Sequence, residues 1–406
     1  MKVKNILFIF SRHSENPNDS TLTKDISDEF YKQGHNIKVV TMLEKKYKKE
    51  TQLKIENGYP VLRVKTGNYF DSVGKIEKGI TALTMPKNLE KEIKKHFKNE
   101  KVDLIYTHTP FMSNAKLIKN LKKHFKCETC LHLWDIFPQN AKDLNLLSNK
   151  ILLKYFEAQE QKMYDAFDYI GCMSKGNLEY MKVRDKNLKL DKYFILKNWA
   201  QIKEKLVYEK KLIREKYGYS MDDFIAIFGG NMGKPQKLEN ILELAKKSLE
   251  DKNIKFLFIG KGTERKFLEN KAKNESITNL KFLDYIPRED YELVTAACDV
   301  GLVSLDERFT VPNFPSKTTD YFKLELPILA SLDSCAAADY GNFLQNKVKG
   351  GVFSLAGKTD ELYSQLLKLK NNNELKIELG KNGRKYYENE LGVEKAYETI
   401  MKQIKE

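Results

Sequence analysis

Glycines and lysines come together in one loop of the second half of the chain, which reads Gly229-Gly-Asn-Met-Gly233-Lys-Pro-Gln-Lys237 between a predicted strand and a predicted helix. Glycine lets a backbone approach a phosphate closely, and a helix N-terminus offers amide donors. We predict a diphosphate site here, with a plain tight turn as the alternative, since the loop is neither a Walker A motif nor a GxGxxG fingerprint. The predicted phosphate contacts are Gly230, Asn231, Gly233, Lys234, Gln236 and Lys237.

A second candidate for anion binding is the segment Pro315-Ser-Lys-Thr-Thr-Asp320, which opens a predicted helix. Lys317 can meet an anion beside the amides near Ser316 and Thr318, where the helix dipole favours negative charge. Asp320 lies about one helical turn further on and can accept hydrogen bonds from ribose hydroxyls. In the alternative interpretation, Ser316 only caps the helix.

Two other loops that follow strands are suited to the nucleoside part of a nucleotide. Gly260-Lys-Gly262 fits a ribose or a base edge, although lone Gly-x-Gly turns are common. The segment Asp284-Tyr-Ile-Pro287 can bind a flat base, which predicts contacts from Tyr285 and Ile286. An ordinary capped loop explains this second segment equally well.

Polar residues that follow strands of the first half are candidates for orienting a substrate hydroxyl or moving a proton. Asp135 follows a predicted strand, and pairing with a lysine is the alternative for it. His13 and His108 also follow strand ends, whereas His35 comes after a helix-ending glycine and is predicted to be structural. All six histidines lie at or before residue 132, so any imidazole used in a reaction comes from the first half.

Strands and helices alternate in two separate blocks, which predicts a fold of two doubly wound α/β domains. The first block contains a predicted helix at 21–33, and a last helix is predicted at 388–405. We place the domains at 1–198 and 199–387, with the terminal segment 388–406 crossing back to the first domain. Ligands of such sheets bind beyond the carboxyl ends of the strands, where the loops described above lie.

The composition narrows the class of protein and its partners. The 71 basic and 56 acidic residues give a net charge of +15, which favours anionic partners unless it only reflects a lysine-rich composition. Five scattered cysteines, with Cys127 and Cys130 as an isolated pair, predict a reducing compartment rather than disulfides or a zinc site. The apolar run at 6–10 is too short for a secretory signal, and no later run approaches a membrane span.

These features predict a cytoplasmic protein. Two basic helices, predicted at 87–101 and 116–126, suit the inner face of a membrane. An ordinary solvated helix face is the alternative for both.

Taken in order, the motifs resemble the GT-B glycosyltransferases of family 4 over nearly the whole chain. The segments that carry the resemblance are 5–41, 194–199, 228–233, 258–262 and 297–302. The segments 134–138 and 315–317 are further similar to the L-fucosamine transferases of bacterial O-antigen and capsule assembly. The chain departs from the family at Asn231 and Gln236, which replace the usual Arg and Lys, and at Pro312, where the first of two acids usually stands before Asp320.

The resemblance implies two Rossmann-like domains that face a central cleft, the second binding a nucleotide sugar and the first an acceptor. It implies transfer with retention at the anomeric carbon, without a metal ion or any cofactor. Lys317, Lys234 and Lys237 then stabilise the leaving diphosphate, while Asp135, with His13 or His108, orients the acceptor. The implied donor is a UDP-sugar that carries an N-acetylated hexosamine or deoxyhexosamine. The implied acceptor is lipid-linked or a glycan in surface polysaccharide assembly, and the sequence leaves open whether the product is a capsule, a lipopolysaccharide with its O-antigen, or a glycoprotein.

Three other functions compete with this hypothesis. A nucleotide-sugar epimerase of the same fold would release sugar without an acceptor. Nucleic-acid binding is suggested only by the net charge, which is spread over both halves. A nicotinamide-dependent enzyme would need a dinucleotide fingerprint, and none follows the first strand. We therefore predict a glycosyltransferase that binds no nucleic acid.

Overall fold

The computed structural model describes residues 2–70, 73–110 and 114–404, which divide into two α/β units. Unit 1 comprises the described residues up to Lys142, Leu147–Gln201 and those from Gly392 onward. Unit 2 comprises Asp143–Leu146 and Ile202–Leu391. Each unit is built around its own sheet.

Among the described residues of unit 1, eight strands form one sheet. They are β1 (Asn5–Phe10), β2 (Asn36–Glu44), β3 (Gln52–Glu56), β4 (Tyr59–Thr66), β5 (Leu104–His108), β6 (Glu128–Leu133), β7 (Tyr169–Cys172) and β8 (Tyr193–Ile195). Their order is β3-β4-β2-β1-β5-β6-β7-β8, and every pair is parallel except β3 with β4. The apolar β1 lies in the interior of the sheet, as its sequence predicts, because both faces of a parallel sheet are covered.

The hairpin of β3 and β4 is absent from the sequence-based prediction. β3 is an edge strand on which Leu53, Lys54 and Ile55 are exposed, so it carries no buried apolar run. Its turn contains Asn57 and Gly58, both with positive φ (51° and 90°). An Asn-Gly pair between two short runs is the usual signature of a two-residue hairpin, and it is the signal that could have revealed these strands.

Six strands form the sheet of unit 2. They are β9 (Phe224–Gly229), β10 (Ile254–Ile259), β11 (Leu280–Leu283), β12 (Val300–Ser304), β13 (Ile328–Leu332) and β14 (Gly351–Leu355). The order is β11-β10-β9-β12-β13-β14, and all neighbours are parallel. This is the Rossmann order, in which the direction of strand addition reverses beside β9 and a crevice opens at the carboxyl ends of the strands.

The helices connect the strands and cover both sheets. They are α1 (Leu22–Lys32), α2 (Lys75–Phe97), α3 (Ala115–Phe125), α4 (Gln139–Asp143), α5 (Lys150–Tyr164), α6 (Lys175–Arg184), α7 (Lys210–Lys216), α8 (Glu239–Lys247), α9 (Arg265–Asn274), α10 (Arg288–Ala297), α11 (Lys317–Lys323), α12 (Ser334–Ala336), α13 (Thr359–Asn371), α14 (Asn373–Glu390) and α15 (Val393–Gln403). Within the described ranges, none of them combines the length and apolar character needed to cross a bilayer.

The first helix forms where the sequence predicts it. The Thr21 side chain caps α1 by accepting a hydrogen bond from the Lys24 amide at 3.3 Å. Gly34, with φ of +83°, follows the helix and allows the chain to turn into β2. The buried face of α1 packs on the sheet through Phe30, whose ring meets Phe8 edge-on at 5.5 Å.

The prediction of a single helix at 388–405 is wrong, because two helices occupy this region. α14 ends at Glu390, and α15 begins at Val393 after Gly392 in an extended conformation. Glycine interrupts the helix at little conformational cost, and the Val393 amide instead donates to the Ala200 carbonyl at 3.1 Å. α15 then packs within unit 1, where the Tyr397 hydroxyl lies 2.8 Å from Nε2 of His35. Residues 405 and 406 lie outside the described residues.

Candidate functional site

A cavity of about 460 Å³ lies at the carboxyl ends of β9 and β10 in unit 2. Its lining includes six of the residues predicted as donor contacts. The lining residues are Gly229, Gly230, Asn231, Ile259, Gly260, Lys261, Tyr285, Ile286, Arg288, Tyr291 and Asp320. The structure therefore brings together loops that are far apart in the sequence, at the position where α/β sheets bind ligands.

The two glycine turns form the floor of this cavity because their backbones touch. A Cβ atom on Gly260 would lie 2.1 Å from the Gly230 carbonyl oxygen, and one on Gly262 would lie 2.1 Å from the Met232 carbonyl oxygen. The Met232 amide also donates to the Lys261 carbonyl at 2.7 Å. Glycine is thus required here for the packing of one loop on the other, whatever ligand the cavity takes.

Lys317 lies beside the first of these turns. Its Nζ is 3.7 Å from the position that a Gly230 Cβ would occupy, and 4.7 Å from the centre of the Phe228 ring. Burial lowers the pKa of this ammonium group to about 8, and the Asp320 carboxylate opposes that shift. A cation that is poorly compensated in the apo protein is suited to an anionic ligand.

Asp320 is already engaged by a residue that the sequence analysis did not identify. Both carboxylate oxygens contact the Arg288 guanidinium, with Nη1 to Oδ2 at 3.3 Å and a closer contact from Nη2 to Oδ1. Arg288 Nε also donates to Glu292 at 2.7 Å. Burial alone would lower the pKa of Arg288, but the two carboxylates outweigh it and raise the pKa. Asp320 thus orients a cation in the cavity, and its predicted hydrogen bonds to ribose stay a prediction.

The other predicted phosphate contacts are not among the lining residues of the cavity. Lys237 forms an ion pair with Glu307 at 2.8 Å, and Lys234 is exposed to solvent. The Gln236 side chain accepts a hydrogen bond from the Gly233 amide at 3.2 Å and so holds the turn closed. The cations that line the cavity are instead Arg288 and Lys261, and Lys317, which is not a lining residue, lies beside the lining residue Gly230.

Ser316 and Thr318 differ in their surroundings. Ser316 is exposed and makes no capping hydrogen bond to α11 through its side chain. Thr318 is buried, with its hydroxyl 2.7 Å from that of Tyr340 and its amide donating to the Pro315 carbonyl at 3.2 Å. The Thr318 N–H is therefore already used within the turn, and anion binding by the amides near Ser316 and Thr318 stays a prediction.

Tyr285 and Ile286, the predicted base contacts, are also among the lining residues of the cavity. Tyr285 is largely exposed, and Nζ of Lys261 lies 5.7 Å from its ring centre. The preceding Asp284 accepts a hydrogen bond from Arg265 at 2.6 Å, which fixes the loop after β11. An exposed aromatic ring beside a cation can take up a flat heterocycle.

In unit 1, His108 is buried and both of its ring nitrogens have partners. Nδ1 donates to the Thr109 carbonyl at 2.5 Å, and Nε2 accepts from the Ser11 amide at 3.4 Å. Burial lowers the pKa of His108 to about 4, so the ring is neutral at pH 7. The ring stacks on Trp134 with centroids 3.9 Å apart. This placement does not support the predicted direct contact of His108 with a reactant, and it indicates a role in positioning Trp134.

Asp135 directly follows β6 and Trp134. The amides of both residues donate to the Thr109 hydroxyl oxygen at 2.9 Å, which ties this segment to the end of β5. The Asp135 side chain reaches solvent, yet the protein around it raises the pKa of its carboxyl group through desolvation. The indole of Trp134 donates to Nδ1 of His132 at 2.8 Å. Asp135 is thus a carboxyl group on a rigid segment.

A second cavity, of about 450 Å³, lies in unit 1 after β1 and β2, and His13 lines it with Arg12 and Arg63. The Tyr59 hydroxyl donates to Asp28 at 2.7 Å, so it can only accept from Nε2 of His13, which is 3.5 Å away. Within the part of the chain that the structure describes, Nδ1 of His13 has no partner although it is buried. Burial and Arg63 lower the pKa of His13 to about 4.

Since Nε2 of His13 carries the proton, Nδ1 is left as a neutral hydrogen-bond acceptor. Across residues 2–70, 73–110 and 114–404, no group of three or more His, Cys, Asp or Glu side chains is arranged to hold a metal ion.

Comparison with known proteins gives this geometry a context. Residues 209–386, less than half of the chain, match the family model described as glycosyl transferases group 1. The matched region contains every residue that lines the cavity of unit 2.

Two curated relatives are similar to about half of the chain. WbjE of Pseudomonas aeruginosa, named a probable glycosyltransferase, is 26% identical over 218 residues, which make up 52% of this chain and 52% of WbjE. WcaI of Escherichia coli, provisionally named a colanic acid biosynthesis glycosyl transferase, is 23% identical over 207 residues, 50% of this chain and 49% of WcaI. The aligned part thus spans about half the length of these relatives.

Solved structures resemble the chain over almost its whole length. Sucrose-phosphate synthase from Thermosynechococcus elongatus has a TM-score of 0.75 at 13% identity, with 98% of each chain covered. HepE from Anabaena, solved in complex with UDP-glucose, has a TM-score of 0.72 at 13% identity and the same coverage. Together with the two sheets, which are parallel except for the edge strand β3, these likenesses confirm the predicted GT-B fold.

Proposed function

We propose that the protein is a glycosyltransferase that moves a sugar from a UDP-sugar to a glycan or lipid-linked acceptor in surface polysaccharide assembly. The observation that carries this proposal is the cavity of unit 2, where two glycine turns meet Lys317 and Arg288 inside the region that matches glycosyl transferases. The names of the relatives, one of them from colanic acid biosynthesis, support the polysaccharide pathway.

The cavity fits a nucleotide sugar in size and in the distribution of its chemistry. A volume of about 460 Å³ is within the range of small-molecule sites. We place the diphosphate at the end that holds Gly230 and Lys317, and the base at the end that holds Tyr285 and Ile286. The UDP-glucose bound by a structural neighbour makes uridine our choice of nucleoside.

The difficult step is departure of the nucleoside diphosphate from the anomeric carbon, because negative charge accumulates on the leaving oxygen. Fixed cations in a desolvated site stabilise that charge best. Lys317 and the Arg288 guanidinium, which Asp320 orients, supply those cations, so we infer a reaction that needs no metal ion. We infer retention at the anomeric carbon and an N-acetylated hexosamine or deoxyhexosamine as the sugar from the family resemblance.

The acceptor is assigned to unit 1. Asp135 and Nδ1 of His13 are hydrogen-bond acceptors on rigid segments, and each can orient a hydroxyl that attacks the sugar. We give Asp135 the role nearer to the reacting hydroxyl, since its side chain reaches solvent while His13 is buried. The five cysteines are all free thiols, which supports a reducing location such as the cytoplasm.

The test begins with thermal unfolding of the full chain in EDTA with UDP-, GDP- and ADP-sugars. A ligand at about 100 times its Kd adds roughly 2.7 kcal/mol to the free energy of unfolding, so a UDP-sugar should raise Tm by several degrees. The stabilising donor is then incubated with acceptor glycans, and the anomeric configuration of the product is determined by NMR. A product of inverted configuration would refute retention.

Two other results would overturn the proposal. If no nucleotide sugar stabilises the protein, the cavity is not a donor site. If the donor is converted to its epimer without an acceptor, the protein is a nucleotide-sugar epimerase. Lys381→Met, an exposed lysine change on α14, should keep the donor response and serves as the control for changes at Lys317.

A further inference from the structure

We propose that the outer face of α2 and α5 in unit 1 is a docking surface for an anionic lipid membrane. The docking surface is defined by the side chains of Ile76, Ile80, Leu83, Ile151, Leu152 and Tyr155. Binding at this surface requires no transferase activity, so it is tested independently of the function proposed above.

The first half of α2 carries an apolar row that faces solvent. Ile76, Ile80 and Leu83 are 82%, 58% and 66% exposed, and their spacing of four and three residues places them on one side of the helix. The opposite side is buried through residues such as Met85 and Leu89. A helix with one face in the core normally exposes polar residues on its other face, so this row is an apolar face that is exposed to solvent.

The first turns of α5 repeat this feature. Ile151, Leu152 and Tyr155 are 80%, 47% and 49% exposed. The later part of α5 is anchored by Met163 and Tyr164, which are buried. Tyr155 presents a ring with a polar tip, the kind of side chain that is enriched where a membrane meets water.

The topology brings the two apolar groups to the same edge of unit 1. α2 contacts α3 and α3 contacts α5, so the three helices lie side by side on one face of the sheet. Each helix runs from the carboxyl edge of the parallel strands back toward the amino edge, because each connects two strands of the sheet that point in the same direction. The N-terminal halves of α2 and α5, which hold the exposed side chains, therefore share one edge.

Lysines surround these apolar groups and identify the partner. The α2 row continues into Lys87 and Lys91, which are exposed, while the exposed Glu77 lies about 100° away from the row. Further exposed lysines on α3 and α5 are Lys116, Lys119, Lys123, Lys150 and Lys154. Apolar side chains that insert at the headgroup level, with amines that meet lipid phosphates, are the pattern of a helix lying on an anionic membrane.

The experiment is co-sedimentation of the full chain with vesicles of phosphatidylcholine, pure or with about one third phosphatidylglycerol. We expect binding to the anionic vesicles that weakens as salt is raised. Ile80→Gln/Leu83→Gln keeps good helix formers and should weaken binding at least about tenfold, since two inserting side chains are lost. Val183→Gln, at a position on α6 that is 90% exposed, is the matched control and should bind as the wild type.

The charge contribution is tested with a second pair of variants. Lys87→Gln/Lys91→Gln should weaken binding and reduce its salt dependence, whereas Lys381→Gln/Lys385→Gln removes the same charge from α14 and should have little effect. The proposal is overturned if the wild type ignores anionic vesicles at low salt, or if the Ile80/Leu83 variant binds them equally well. Self-association that this variant abolishes, without vesicle binding, would assign the surface to a second copy of the chain.

Transfer to a water-soluble acceptor should be the same in all four variants. A failure of membrane docking is thereby distinguished from a failure of the proposed transferase activity.

Discussion

The Lys317 ammonium group lies 4.7 Å from the centre of the Phe228 ring and is held by that ring rather than by an ion pair. Within the described residues, no carboxylate oxygen is within ion-pair distance of it; Asp320, one turn along α11, is paired with Arg288 instead. A π face attracts a cation less strongly than a carboxylate does, so the charge of Lys317 is only partly compensated. The ammonium group of Lys317 thus destabilises the protein when no ligand is bound, and it is available to bind an anion.

Replacing Lys317 by Met should therefore separate stability from activity. The lowered pKa means that the charged form destabilises the fold at pH 7, and Lys317→Met should raise the free energy of unfolding by up to about 2 kcal/mol after allowance for solvent screening. The same change should lower transfer at least about a hundredfold, since a cation at the leaving group is lost. Thermal unfolding and initial rates measure the two effects. An unchanged rate with a confirmed donor would remove Lys317 from the site.

Donor affinity should depend on pH through the same group. The pKa of Lys317 in the free protein is about 8, so the ammonium is present below that pH and is lost as pH rises through it. The Kd for a UDP-sugar, whose phosphates do not titrate near neutral pH, should be constant between pH 6 and 7.5 when measured by calorimetry and should then increase by up to about tenfold per pH unit. Lys317→Arg, whose charge persists at high pH, should delay this rise. A profile that is flat to pH 9 in the wild type contradicts the assignment.

The fold was largely predictable because buried parallel strands leave a clear pattern in the sequence. β10 and β12 are short apolar runs between polar turns, the pattern that the alternation of strands and helices in the second block rests on. The edge strand β3 lacks this pattern because its side chains are exposed to solvent. The break between α14 and α15 depends on one glycine, Gly392, whose effect on helix direction is a matter of tertiary packing.

The site was predictable only in part, because side-chain partners are set by tertiary structure. The glycine turns at Gly230 and Gly260 stand out in the sequence, and they line the cavity. Arg288 does not stand out, since an arginine in the first turn of a helix is common. Only the folded structure shows that its guanidinium contacts Asp320. His108 follows a strand as predicted, but the stacking of Trp134 over its ring could not be read from the chain.

Arg288 and Asp320 should act as a unit in donor binding. Their guanidinium–carboxylate contact predicts that Arg288→Lys and Asp320→Asn each weaken UDP binding by roughly tenfold, while the double variant is little worse than either single one. A double-mutant cycle by calorimetry should give a coupling energy of about 1 kcal/mol or more. Additive losses would mean that Asp320 contacts the nucleotide by itself, as the sequence-based hypothesis of ribose recognition has it.

Gly262 should tolerate no side chain. A Cβ there would lie 2.1 Å from the Met232 carbonyl oxygen, so Gly262→Ala must push the two turns apart and should cost about 2 to 4 kcal/mol of stability. Gly79→Ala is the matched control, since a Cβ at Gly79 meets nothing within 4 Å and alanine favours its helix. Urea unfolding midpoints compare the two. Equal midpoints would show that the turns are not in contact.

Asp135→Asn should impair transfer without affecting the donor. The amide keeps the size of the side chain and the backbone bonds to Thr109, but it removes a carboxylate that can orient or deprotonate a hydroxyl. We expect the transfer rate to fall by about a hundredfold or more and the Kd for UDP to stay within a factor of about two. Desolvation raises the pKa of Asp135, so as the pH is lowered the wild-type rate should begin to fall at a higher pH than it would with an ordinary carboxyl group. This loss of rate at low pH should be absent in Asp135→Asn. Loss of UDP binding in Asp135→Asn would instead move this residue to the donor site.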